Sequence, residues 1–596
     1  MKHPLATYLL FVLLLKNISA LNGVWRWECI DGLCKKEEIT VETEATAQSL
    51  PECRLLCSSS AGLWPKPTGH VQVGTDLSKV NVNSIDHLGV DTDKPYAELA
   101  KAAFERFKTQ IAGLVPQKSK ANAGGQSLVI NYDIANPDIT RLTLDTKEDY
   151  ALTLAETSDG RLETTITADN HFGARHGLET LSQLIIYDDL RDEVRVPKQV
   201  NITDAPAYPH RGILLDTSRN YVTVDVIKRT LDGMALSKLN SFHWHITDSH
   251  SFPFVSERLP ELTAYGAYGT RKIYSPEDVA EIVHYGLVRG VRVIPEFDAP
   301  AHVGEGWQKL DYVVCFNAQP WQNYCVEPPC GQFDPTKDQL YDTLEILYGD
   351  MLKQFQPDLF HMGGDEVHFG CWNGTESIVQ WMQNKNWGRS EADFVKLWDH
   401  FQNESLTRLY KQAGKQIPVI MWTSTLTQAE YLHLLPKEQY IIQIWTLGND
   451  SQVTNLLNNG YSVILSNYDA LYFDCGFAGW VTDGHNWCSP YIGWQTVYSN
   501  TPAKIAGDKK GQVLGAEATL WTEQADSASI DTRLWPRASA LSEVLWSEPE
   551  GTWREAEPRI LAHRERLVQN GINSDALEPE WCLQNEGNCP IGGKFH

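Results

Sequence analysis

Positive charge is scarce in this chain: 51 lysines and arginines stand against 76 aspartates and glutamates, a formal charge of −25 over 596 residues. Nucleic acid and anionic membrane surfaces are therefore poor partners. Long apolar runs are missing too. After the opening residues nothing approaches the roughly 18 to 20 uncharged apolar residues of a spanning helix, so a soluble mature protein is expected. No glycine-rich dinucleotide fingerprint occurs, and the lone His368 lacks the ligand spacing of a metalloprotease helix. Neither a cofactor nor a metal is expected. The 12 cysteines have irregular gaps and few neighbouring histidines, which argues against zinc.

What is present is a chain long enough for two or three domains. Its apolar content of 42% suits substantial cores. Met1-Lys2-His3, the apolar run Tyr8 to Leu15 and then Ile18-Ser19-Ala20 read as a secretory signal peptide cleaved after Ala20. Secretion is the expected destination, with the lysosome as the alternative. An even number of cysteines fits disulfides in an oxidising compartment. Cys29, Cys34, Cys53 and Cys57 form one group, and Cys315, Cys325, Cys330 and Cys371 another. Cys475 with Cys488 and Cys582 with Cys589 are close pairs. Triplets opening at Asn201, Asn373, Asn403 and Asn449 match the glycosylation acceptor pattern.

The expected division is a signal peptide over 1–20, an α+β domain with a cysteine-stapled leader over 21–205, and a catalytic barrel over 206–596. In the first domain, Ala97 to Lys108 and Ala168 to Leu184 are helix candidates. Gln126 to Tyr132, Tyr150 to Leu154 and Leu162 to Ile166 are strand candidates. Past the prolines of Asp204 to Pro209, eight short apolar runs alternate with helical patterns. They are Gly212–Asp216, Ser241–Asp248, Val291–Asp298, the run ending at Asp365-Glu366, Pro418–Trp422, Ile441–Trp445, Ser462–Asn467 and Val513–Trp521. Helices are expected over Asp225–Leu239, Pro276–Arg289, Leu340–Phe355, Phe394–Gln412 and Val453–Asn459, with a late one over Asp531–Leu545. Eight such alternations, without a nucleotide fingerprint, favour a (β/α)8 TIM barrel, in the α/β class, over an open doubly wound sheet.

In that fold every strand delivers its carboxyl end to one mouth. The fourth run, Asp358-Leu359-Phe360-His361-Met362-Gly363-Gly364-Asp365-Glu366, ends on adjacent carboxylates. Alternation along a strand would turn them to opposite sides, and mutual repulsion could keep one protonated as a general acid. Around the same mouth fall Arg219, Asp248, His302, Trp445, Tyr472, Asp474, Trp521 and Glu523. Flat aromatic faces among carboxylates and an arginine suit a sugar. Adjacent carboxylates on one strand do not form the usual opposed pair of a glycosidase. They point to the substrate-assisted variant, in which a 2-acetamido oxygen attacks the anomeric carbon. His243, His245 and His361 read as packed framework, and Glu296 and Asp298 as support.

Four ordered motifs carry a family resemblance: Arg211-Gly212-Ile213-Leu214-Leu215-Asp216-Thr217-Ser218-Arg219, His243-Trp244-His245-Ile246-Thr247-Asp248, Glu296-Phe297-Asp298-Ala299-Pro300-Ala301-His302 and His361-Met362-Gly363-Gly364-Asp365-Glu366. The chain resembles the β-N-acetylhexosaminidases of glycoside hydrolase family 20, nearest to the insect chitinolytic type. The resemblance implies Glu366 as general acid/base, Asp365 as the group orienting the acetamido nitrogen, and Tyr472 as donor to its carbonyl oxygen. It implies Arg219, Asp474 and Glu523 on the ring hydroxyls, and Trp445, Trp487 and Trp521 as pocket walls. Asp248 and His302 would tune the carboxylates. Val326 and Glu327 resemble plus-side residues for linear chitooligosaccharides, with Trp487 opposite Val326 and with Trp321 and Trp480 extending that side. A homodimer is the family expectation. The alternatives are broad trimming of N-glycans or glycoconjugates, an endo-chitinase, or a sugar-binding protein without turnover.

Overall fold

The structure is a computed structural model that describes residues 21–119 and 124–589. The signal-peptide expectation at 1–20 lies outside the described residues. No helix among the described residues is long and apolar enough to cross a membrane.

The first domain is built on an eight-stranded mixed sheet. Tyr150–Glu156 and Leu162–Ala168 pair antiparallel around the Asp159-Gly160 turn, and Gln126–Ile134 runs parallel beside the second of them. Helices Ala97–Gly113 and His171–Leu184 cover the sheet. The second starts at His171 and not at Ala168, because Ala168 is still strand and the Asn170 side chain caps the helix by accepting from the Phe172 N–H at 2.9 Å. This helix is buried on nearly all sides, lying between the sheet and the barrel.

The barrel is closed and all-parallel. Its strands are β1 (His210–Asp216), β2 (Ser241–His245), β3 (Arg292–Glu296), β4 (Phe360–His361), β5 (Val419–Trp422), β6 (Tyr440–Ile444), β7 (Ser462–Leu465) and β8 (Val513–Leu520). β8 returns to pair with β1. Every residue of β1, β2 and β3 is buried, as expected where helices cover the outside of a parallel sheet. Two expectations need correction. β4 pairs over only two residues, so Asp365 and Glu366 stand on a loop beyond it and strand alternation does not aim them. The single helix over Asp531–Leu545 is two, Ile530–Leu534 and Arg537–Ser547. Pro536 lacks the N–H that a continuous helix needs there.

Buried charge joins the domains. Arg211 at the foot of β1 donates to both oxygens of Glu148, at 2.9 and 2.7 Å. Lys238 and the Trp546 indole N–H reach Asp204 at 3.0 and 2.8 Å. The leader holds a hairpin, Trp25–Ile30 with Leu33–Glu38, and a helix, Leu50–Cys57. It is clasped to the end of the chain: the Trp27 indole donates to the Gln584 carbonyl at 3.1 Å, and the Cys34 N–H and Arg54 donate to Glu586 at 2.8 and 2.7 Å.

All 12 cysteines are bonded, as Cys29–Cys57, Cys34–Cys53, Cys315–Cys371, Cys325–Cys330, Cys475–Cys488 and Cys582–Cys589. Asn201, Asn373, Asn403 and Asn449 are exposed.

Candidate active site

Beyond β4 the backbone turns sharply. Gly363, Gly364 and Glu366 all have positive φ, at 59°, 87° and 53°. A Cβ on Gly363 would come within 1.8 Å of Asp298 Oδ1, so only glycine fits. Asp298 accepts the Gly364 N–H at 2.8 Å, and His361 Nδ1 accepts the Gly363 N–H at 3.0 Å. The turn leaves Asp365 buried and Glu366 with 23% of its side chain exposed. The left-handed backbone of Glu366 is unusual for a side chain with a Cβ, and strain of this kind gathers at functional sites.

His302 stands against both carboxylates, its Nε2 at 3.4 Å from Glu366 and 3.8 Å from Asp365. Its Nδ1 meets Asp248 Oδ2 at 3.0 Å. Burial alone would lower the histidine, but Asp248, Asp298 and Asp365 raise it well above its ordinary value, so it is an imidazolium. Burial pushes Asp365 up to about 6, against the pull of His302 and with the help of Glu366. Asp298 is driven well above the carboxylate range by burial and by Asp365, which makes it the proton-keeping member of that pair. Asp365 Oδ1 has no hydrogen-bond partner among the described residues.

Arg219 is buried, and four acids surround it: Asp248 at 2.8 Å, Glu327 at 2.9 Å, Asp216 at 3.8 Å and Glu523 at 3.9 Å. Burial would lower its guanidinium, but these acids raise it far above its usual value. Glu327 thus reaches inward to the arginine and lines a recess shared with Asp474, Trp480, Trp487 and Glu523. Burial lifts Asp474 to about 7. Burial and Glu327 lift Glu523 well above its usual range.

The aromatic residues form a cage. Tyr472 lies 6.3 Å from Trp521 and 6.0 Å from Trp487, and Trp487 lies 6.4 Å from Trp445. Trp521 also faces the Arg219 guanidinium at 5.0 Å. Cys475–Cys488 closes the loop that carries Asp474 and Trp487. At the rim, Trp487 is 64% exposed and Val326 52%. Val326 lines a small recess with Asp248, His302 and Glu366. Trp480 faces His250 at 6.2 Å. Trp321, on the short turn Trp321–Asn323, makes no ring contact with the cage among the described residues. Sequence reasoning passes over Trp422 and Tyr468. Trp422 ends β5 as Trp445 follows β6, and it lies 6.0 Å from Trp521; strand-end position was the available signal. Tyr468 lies 5.1 Å from Trp487 on a short helix that no periodicity marks.

His243, Glu296 and His361 converge closely enough to hold a cation, but each is already engaged by protein: His243 by Glu517, Glu296 by His245 and Trp422, and His361 by the Gly363 N–H. The arrangement at the mouth instead suits proton transfer, with one partly exposed carboxyl group, one buried carboxylate, a fixed cation between them, and aromatic walls.

Residues 208–549 match the model of "Glycosyl hydrolase family 20, catalytic domain", and 63–184 that of "beta-acetyl hexosaminidase like". A chitooligosaccharidolytic β-N-acetylglucosaminidase of Ostrinia furnacalis is 50% identical over 98% of this chain and 99% of its own. One of the same description from Bombyx mori is 50% identical over 95% and 96%. Among solved structures, the Flavobacterium johnsoniae chitobiase superposes with a TM-score of 0.66 at 25% identity, over 86% of this chain and 73% of its own. Relatives that match along nearly their whole length, and a catalytic model spanning all eight barrel strands, lead to one conclusion: the chain belongs to glycosyl hydrolase family 20.

Proposed function

We propose that this protein is an exo-acting β-N-acetylhexosaminidase that removes the terminal non-reducing N-acetylglucosamine of chitooligosaccharides, with retention and with assistance from the substrate. The observation that carries the reading is Asp365, a buried carboxylate next to Glu366 with one oxygen that has no hydrogen-bond partner among the described residues. That oxygen suits an acetamido N–H, and Tyr472 suits the acetamido carbonyl. Glu366 gives its proton to the glycosidic oxygen as that bond breaks, while the acetamido oxygen bonds to the anomeric carbon and forms an oxazolinium ion. Glu366 then takes a proton from water, the water oxygen replaces the acetamido oxygen, and the acid is restored. The names of the Ostrinia furnacalis and Bombyx mori relatives support the chitooligosaccharide preference, as do the exposed rim residues Val326 and Trp487. Six disulfides support a secreted protein, and a homodimer remains the family-based proposal.

The test is release of N-acetylglucosamine from short chitooligosaccharides beside a branched N-glycan. Wild type should favour the linear substrates, and Glu366→Gln should lose about 10²- to 10⁴-fold in turnover. Equal rates for the two proteins overturn the mechanism.

A further inference from the structure

Behind the mouth, the barrel interior holds a file of acids and histidines in strict alternation. It starts at Glu366 and runs through His302, Asp248, His245, Glu296, His243 and Glu517 to His210. Successive contacts are 3.4, 3.0, 3.0, 2.6, 3.1, 2.9 and 2.6 Å. From His245 inward every member is fully buried. The members come from β1, β2, β3 and β8 and the loops that follow β2, β3 and β4, so no local segment could make this file.

We propose that Glu296 is a positioning residue for the reaction. It acts through His245 on Asp248, and so sets both the imidazolium of His302 and the guanidinium of Arg219. The argument is one of donors and acceptors. His245 Nδ1 meets Glu296 at 2.6 Å and its Nε2 meets Asp248 at 3.0 Å. Both nitrogens face carboxylate oxygens, which favours a hydrogen on each and a cationic ring. Arg219, a second cation, lies 3.1 Å from the same Nε2. Asp248 Oδ2 serves Arg219, His245 and His302 at once; Arg219 also has Glu327 and His302 has Glu366, whereas His245 needs an anion on its far side. Glu296 is that anion. It accepts the Trp422 indole N–H at 2.8 Å, with His243 Nε2 and His361 Nδ1 each 3.1 Å away and Asp298 nearby. Without it, His245 gives up a proton, and its free Nε2 accepts from Arg219. The contact that Arg219 already makes with the ring at 3.1 Å then strengthens at the expense of its ion pair with Asp248. One buried residue with no contact at the mouth thereby alters both the sugar clamp and the acid/base cation.

This inference rests on the hexosaminidase reading. Rates are measured on a soluble N-acetylglucosaminide for wild type, Glu296→Gln, His245→Gln and the double variant, with melting temperatures beside them. Glu296→Gln should lose about tenfold in kcat/KM, divided between kcat and KM, and the double variant should fall no more than about twofold below the worse single one. Losses that multiply overturn the proposal, because they would mean separate roles. Glu296 is also among the charges that raise Asp365, so its removal should move the acidic limb of the pH profile downward. An unmoved limb with only a lower melting temperature marks a merely structural role and overturns the proposal. If Glu296→Gln does not fold, His245→Gln probes the same link from the other side, and wild-type kcat and KM in that variant overturn it. An inactive wild type overturns the functional reading itself, whereas an active wild type with multiplying losses overturns this inference alone.

Discussion

Asp365 is the residue on which the pH dependence turns. Burial and the neighbouring Glu366 raise it to about 6, and the proposed mechanism needs it ionised to accept an acetamido N–H. Protonation removes that acceptor, so kcat/KM should fall as the pH drops through about 6. In Asp365→Asn the rate should be much lower and that acidic limb absent; a limb that persists would belong to another group. Much of this was legible in the sequence. The doublet after two glycines is conspicuous, and strand-end logic gathers Arg219, Tyr472 and Trp521 without coordinates. The partners of Asp248 were not legible, because Arg219, His245 and His302 come from three separate strand ends. Nor was the inward reach of Glu327, which follows from the course of one loop and has no counterpart in local sequence pattern.

Among the elements, the turn after β4 carries the greatest demand. Its conformation depends on the absence of a side chain at Gly363, whose Cβ would collide with Asp298, and on acceptors from β4 and from the loop after β3. Gly363→Ala should lower stability by on the order of 2 to 4 kcal/mol and abolish turnover with it. Wild-type stability on chemical denaturation would refute that. The loop closed by Cys475–Cys488 is the second case. Replacing both cysteines by alanine should raise KM more than it lowers kcat, because in the proposed mechanism the loop carries the sugar contacts Trp487 and Asp474 and leaves Glu366 where it is. The barrel strands were readable from their apolar runs, since a buried parallel strand needs no alternation. The late helix was misread although Pro536 stood in plain view. The turn was misread for a deeper reason: an apolar run says where a strand begins, whereas its end depends on which neighbours accept its N–H groups.

At the scale of the molecule, the motif Arg211 to Arg219 spans β1 from end to end. Its first residue anchors the other domain and its last grips the site. Burial would raise Glu148, but Arg211 and His176 hold it well below the carboxylate range. A depressed acid adds stability above its unfolded value and loses it as the pH falls below about 4. Glu148→Gln should therefore cost roughly 3 to 5 kcal/mol at neutral pH and less in acid, with kcat unchanged, as thermal melts across pH would show.

The clasp between leader and tail extends that coupling. Trp27 and Gln584 touch across 557 positions of sequence, and the leader belongs with the sheet while the tail follows the last barrel helix. Neither domain can be peeled away from its own end without first opening the other. Unfolding should therefore be a single event: calorimetry should show one heat-absorption peak, and a protease should find intact chain or fragments, with no long-lived barrel stripped of its companion.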